Sequence, residues 1–283
     1  MTRRTLLQTG SLAASLAALG RSKQLTVLGV QLYTVRGVLP AHPLETLQAI
    51  EAAGYQEVET GGVAIDRVWP SLEKTHLKAV SAHLDSAQVT KGPEAALDRT
   101  LADLKQKGFT FAVFPYLPPA ERGGVEAIKR LAASLNRAGE KARAAGLRFC
   151  YHNHAFEFES VEGQPLFHTL IAETDPKTVG FEVDCFWVSV AGHDPAEVIA
   201  HLSGRVPLLH LKDKAEGTPV RYNESVPKET FKEVGHGVID WAQVLKAADK
   251  AGAERYFVEQ DQTPGDPVAS LRQSHAYLST LTY

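Results

Sequence analysis

The strongest constraint on this chain is an alternation that recurs eight times. Short runs rich in β-branched and aromatic residues occupy 25–33 (LTVLGVQLY), 57–60 (EVET), 77–84 (LKAVSAHL), 109–116 (FTFAVFPY), 147–154 (LRFCYHNH), 178–184 (TVGFEVD), 206–212 (VPLLHLK) and 255–261 (RYFVEQD). Between them lie amphipathic segments such as 43–55, 93–109, 124–147 and 240–253, with apolar residues at helical spacing and, in most, a glycine at the end. Strands separated by helices build parallel βαβ units, and eight units in about 260 residues predict a single (β/α)8 TIM barrel. A doubly wound open sheet is the other arrangement the alternation allows, but no Gly-rich phosphate fingerprint follows the first strand. With 44% hydrophobic and 22% charged residues over 283 positions, the chain can fill one large core.

In a parallel barrel the C-terminal strand ends surround the active site, and alternate residues of each strand point inward. Those ends carry His83 and Asp85, His152 and His154, Asp184, His210 and Lys212, then Glu259 and Asp261. One strand-end carboxylate commonly caps the next helix. Metal-capable residues on four successive strands, the fifth to the eighth, point instead to a bound cation. Glu182 lies one layer below Asp184 on the same side and must be paired if buried.

Other polar and aromatic positions have two readings each. His83 and His154 are candidates for substrate hydroxyls or ordinary core histidines; Lys212 is an oxyanion partner or a salt-bridged strand end. Trp187 is a wall for a sugar face or core packing, and Gln31 and Tyr33 reach toward a substrate from the first strand. The stretch 212–239 is the longest without an assigned element and is predicted to overhang the barrel mouth.

Taken in order, YHNHAFEFE, VGFEVDCFW, LLHLKDK, VGHGVIDW and FVEQD resemble the motifs of the sugar phosphate isomerase/epimerase family with its xylose isomerase-like barrel. The resemblance spans residues 25–280 and is nearest to members with a Tyr-His-Asn-His motif. It implies one divalent metal held by two glutamates, an aspartate and a histidine. Carried over by motif, three ligands are Asp184, His210 and Glu259. The fourth comes from the fifth strand or just after it: Glu157 is the expected ligand, and His152, which stands where relatives place a glutamate, is its rival.

Three carboxylates with one imidazole form a mostly hard site, which puts Mn²⁺ first, with Mg²⁺, Co²⁺ and Zn²⁺ as the other ions such a set accepts. The implied reaction is isomerisation or epimerisation of an unphosphorylated sugar by proton transfer next to a carbonyl, through an enediolate. Glu157 and Glu259 would be the bases on opposite faces of the ketose. A lyase, dehydratase or hydrolase acting on 3-keto-glycosides or inosose-like substrates would begin with the same proton abstraction. A non-catalytic periplasmic carbohydrate-binding barrel is the third reading. His236 stands where the family commonly has an acidic residue, and it either touches substrate or sits at the start of the helix that Asp240 caps.

The formal charge of −3, with lysines and arginines scattered, leaves no basic stripe for nucleic acid. At the N-terminus, Thr2-Arg3-Arg4 followed by Leu6, Leu7 and an Ala/Leu/Ser run resembles a twin-arginine export signal rather than an amphipathic helix, and the run is too short to span a membrane. The expectation is a signal over 1–22 that is removed, a barrel over 23–283, a periplasmic location and the twin-arginine translocase as a transient partner. Self-association is left open. Strand parity turns Cys150 inward and Cys185 outward, so two buried free thiols are expected rather than a disulfide.

Overall fold

The computed structural model describes residues 22–61 and 65–283; residues 1–21 of the expected export signal lie outside the described residues. All eight predicted strands form: β1 Gly29–Gln31, β2 Glu57–Thr60, β3 Lys78–His83, β4 Phe111–Phe114, β5 Arg148–His152, β6 Val179–Asp184, β7 Leu208–Leu211 and β8 Arg255–Val258. Neighbours pair in parallel, and β8 returns to β1 through Gly29↔Phe257 and Val30↔Val258, closing the barrel. The helices Pro43–Ala52, Glu94–Gln106, Gly124–Ala144 and Trp241–Ala251 occupy the segments whose periodicity predicted them. No helix among the described residues is long and apolar enough to cross a membrane.

β1 is shorter than the 25–33 run because the chain turns at once. The Gln31 side chain accepts the N–H of Tyr33 and caps a 3-10 turn over Leu32–Val35. The main core lies between barrel and helices. A second apolar group, Val80, Phe111, Val113, Cys150, Leu208 and Phe257, fills the barrel itself toward its N-terminal end. That plug needs Gly29, since a Cβ there would lie 2.4 Å from the Phe257 ring. Cys150 belongs to the plug and Cys185 to the outer core, so the two thiols are free and buried on opposite sides of the barrel wall, as parity predicts.

The 212–239 stretch sends Phe231, Val234 and Ile239 into the main core, pairs Asp213 and Lys214 antiparallel with Lys232 and Phe231, and gathers its backbone around one buried carboxylate. Asp213 accepts the backbone N–H groups of Lys214, Gly235, Gly237 and Ile239 and the indole N–H of Trp241, at 2.8 to 3.2 Å. Charge-assisted bonds of this kind are about twice as strong as neutral ones and fix the loop backbone around the carboxylate. Where the loop crosses the mouth, Glu224 pairs with Arg122 at 2.9 Å, and the Arg122 guanidinium lies 3.8 Å from the centre of the Phe156 ring.

Candidate functional site

Strands β5 to β8 bring His152, Asp184, His210 and Glu259 together, with ligand-capable atoms within 4.8 Å of one another and all four side chains buried. His152 Nε2 is 3.3 Å from Asp184 Oδ2 and 3.2 Å from His210 Nδ1, which is 3.0 Å from Glu259 Oε2. Asp184 is oriented from its other side: Asn153 Oδ1 accepts its N–H at 3.0 Å, and its Oδ1 accepts the N–H of Trp187 at 2.9 Å. Oδ2 is therefore the oxygen left for the group.

The setting of His210 tests whether these residues fit a cation. Its Nε2 lies 2.7 Å from Glu59 Oε1 and must donate, because a carboxylate only accepts. Nδ1 lies 3.0 Å from Glu259 Oε2, and although burial opposes the charge, the carboxylates of Glu182, Asp184 and Glu259 hold the imidazole well above its usual range, so that both nitrogens donate. A divalent cation would take the place of the Nδ1 proton, and a carboxylate holding the far nitrogen is the usual support of a metal-bound histidine. Burial, against the contact with Asp184, drops the His152 imidazole to about 4, which keeps its own lone pair free.

Lys212 closes the group from above, its ammonium 3.1 Å from Asp184, 2.7 Å from Glu259 and 2.8 Å from Asp261. Burial works against every charge here. The Lys212 ammonium and the neighbouring imidazoles together outweigh it at Asp184, where His152 and His210 contribute, and at Glu259, where His210 does; Asp184 is held well below the usual carboxylate range and Glu259 is also lowered. At Asp261 burial and the charge of Glu259 win over Lys212, and the carboxyl is pushed up to about 6.

Glu157, the ligand expected from the family pattern, does not join the four. Tyr151 precedes His152 and so points to the opposite face of β5, into the helix layer between Phe114 and Phe181. The turn Phe156–Phe158 folds Glu157 back onto that outer face, where its Oε1 accepts the Tyr151 hydroxyl at 2.6 Å and the His154 N–H at 2.9 Å. Burial raises its carboxyl to about 7 despite those bonds. His152, the rival, stands in the group instead, so the four clustered side chains offer two imidazoles and two carboxylates.

A cavity of about 920 Å³ opens above the group at the C-terminal mouth. Of the residues expected to meet substrate, Tyr33, His83, His154, Trp187 and Lys212 line it, together with His152, Glu259 and Asp261. Gln31 and His236 do not. Gln31 is buried and donates to Glu59 at 2.7 Å instead, while His236 is exposed in the turn before the Trp241–Ala251 helix. Asp240 caps that helix as expected, accepting from Gln243 N–H.

Sequence reasoning did not single out Glu59. The parity rule that placed Glu182 inward applies equally to the middle of EVET, and the structure puts Glu59, wholly buried, against His83 and His210. His83 responds to this setting. Burial alone would lower it, but the Glu59 and Glu182 carboxylates lift it to about 9.

A closed barrel whose ionisable groups gather at the C-terminal ends of its strands is the architecture of a barrel enzyme. The chain belongs to the xylose isomerase-like TIM barrel family, which it matches over residues 47–281. It is 24% identical over 271 residues to the inosose dehydratase of Lacticaseibacillus casei, covering 83% of this chain and 88% of that protein. It is 30% identical over 154 residues to the inosose dehydratase of Geobacillus thermodenitrificans, so it spans about half of that relative, 51% of each chain. The crystal structure of a sugar phosphate isomerase/epimerase from Parabacteroides distasonis shares the fold, with a TM-score of 0.74 at 24% identity, covering 96% of this chain and 99% of that one.

Proposed function

We propose that the protein is a divalent-cation-dependent lyase that removes water from a cyclic, unphosphorylated polyhydroxy ketone. The observation that carries this reading is the placement of the two glutamates expected to act as bases. Glu259, Lys212 and Asp261 share one rim of the cavity, whereas Glu157, the second base of an epimerase, sits behind β5. Two inosose dehydratases among the relatives favour the same reaction class.

In this mechanism the Glu259 carboxylate accepts the proton on the carbon next to the ketone. That C–H electron pair becomes the new C=C bond as the neighbouring C–O bond breaks. The leaving hydroxyl takes a proton from the Lys212–Asp261 pair and departs as water. Two carboxylates two residues apart, one lowered and one raised, form the kind of divided pair that acid–base chemistry requires. A cation held by His152, Asp184, His210 and Glu259 would polarise the ketone and acidify the adjacent C–H. With two imidazoles in the set, Zn²⁺ or Co²⁺ suits it better than the Mn²⁺ that three carboxylates would favour. The lysine and arginine lining the cavity are both engaged, Lys212 by three carboxylates and Arg36 by the carbonyls of Tyr33 and Asp261, which disfavours a phosphorylated substrate.

Isomerisation or epimerisation shares the first step and returns the proton instead of expelling hydroxide. Incubation of the metal-loaded protein with an inosose in deuterated water separates the two. The lyase reading expects loss of water and growth of conjugated-ketone absorbance; deuterium in recovered sugar without elimination would establish an epimerase instead. The motif in residues 1–22 would put the reaction in the periplasm, and replacing Arg3 and Arg4 by lysine should trap the protein in the cytoplasmic fraction.

A further inference from the structure

We propose that Glu59, His83, Glu182 and His210 form a second position for a divalent cation, beneath the first and exclusive with it because both draw on the His210 imidazole. The proposal rests on the cation dependence argued above. The four side chains come from β2, β3, β6 and β7, and their ligand-capable atoms also lie within 4.8 Å of one another. His83 Nε2 is 3.0 Å from both Glu59 Oε1 and Glu182 Oε2, and His210 Nε2 is 2.7 and 3.3 Å from the same two oxygens. Nitrogen and oxygen thus alternate around a closed ring of four atoms.

A tetrahedral ion with bonds of 2.0–2.1 Å separates its donors by about 3.3 Å; the 3.3 Å edge already fits, the 3.0 Å edges are a little short, and the 2.7 Å edge from His210 to Glu59 has the most to open. Glu182 Oε1 is buried without a hydrogen-bond partner and can serve as a further donor. The donor chemistry, two imidazoles and two carboxylates with three of the four side chains buried, is that of a Zn²⁺ or Co²⁺ site.

His210 makes the two positions exclusive, because a neutral imidazole offers one lone pair. With the ion above, Nδ1 binds it and Nε2–H donates to Glu59. With the ion in the ring, Nε2 binds it and the proton sits on Nδ1, where Glu259 Oε2 at 3.0 Å accepts it. Loading the ring also displaces the proton of His83 Nε2, which leaves to solvent through the cavity that His83 lines. The lower position lies beneath the working site, and of its four side chains His83 alone reaches the cavity wall.

Co²⁺ titration of the full chain, followed by visible absorption and metal counting, tests this. Wild type should bind one equivalent. Asp184→Asn, which dismantles the upper set, should still bind one, more weakly and with the stronger absorption of closed four-coordinate Co²⁺; adding Glu182→Gln should abolish binding. If wild type binds one equivalent and folded Asp184→Asn binds none, the ring proposal is overturned while the lyase reading stands. Two equivalents in wild type would overturn the exclusivity, and none would remove both readings. Should circular dichroism show Asp184→Asn unfolded, His152→Ala, altered at the cavity wall, takes its place with the same outcomes.

Discussion

Cys150, Leu208 and Phe257 plug the N-terminal half of the barrel, and two residues further along the same strands His152, His210 and Glu259 form the polar group of the C-terminal half. The backbone and the inward direction are identical in both halves. What differs is what the side chains can satisfy. The plug excludes water and gains stability from burial alone, whereas each ionisable group above it must find a partner or a cation. Stability and chemistry are thereby separated by one pleat, about 7 Å along a strand, and substitutions in the two halves should have opposite signatures.

Asp184→Asn should give the largest effect, a loss of kcat/KM of about 10³-fold per folded molecule through the cation, while the amide oxygen can still cap the Trp187 N–H. A comparable loss from a plug substitution, measured per folded molecule, would break the separation. Phe257→Ala should do the converse, costing about 3–5 kcal/mol in denaturant unfolding while the folded fraction remains active.

Glu157, on the outer face of β5, should behave as neither. Its carboxyl is raised from 4.5 to about 7, chiefly by burial, so the folded state holds the proton more tightly than the unfolded chain. Its contribution to stability is therefore full below about pH 4.5 and is lost as pH rises through 7, on the order of 3 kcal/mol at most. In Glu157→Gln this slope should vanish between pH 5 and 8 in unfolding curves recorded with chelator present; an unchanged slope would place the titration elsewhere. Smallest of all, Asp240→Ala at an exposed helix start should cost about 1 kcal/mol and leave activity untouched.

The barrel was legible because the strand period and the helical period are both local and both recur eight times. Asp184, His210 and Glu259 were legible because parity carries from the strand run to its end. Glu157 was not, since it lies beyond the strand in a 3-10 turn, where parity no longer determines direction. Neither was the link between Glu59 and His210, which joins residues 151 apart across the barrel and depends on closure. His236 fell outside the cavity for a similar reason. The neighbouring N–H groups of Gly235 and Gly237 both go to Asp213, a partner more than twenty residues upstream that fixes where the turn sits.

Calorimetric titration of Co²⁺ into wild type, His152→Ala and Glu157→Gln tests most directly which residues form the upper donor set. Loss of His152 should weaken binding by about 100-fold, at least as much as removing a residue that supports a ligand, while Glu157→Gln should bind as wild type does. Unchanged affinity in His152→Ala together with lost binding in Glu157→Gln would contradict the account and return the fourth ligand to the glutamate.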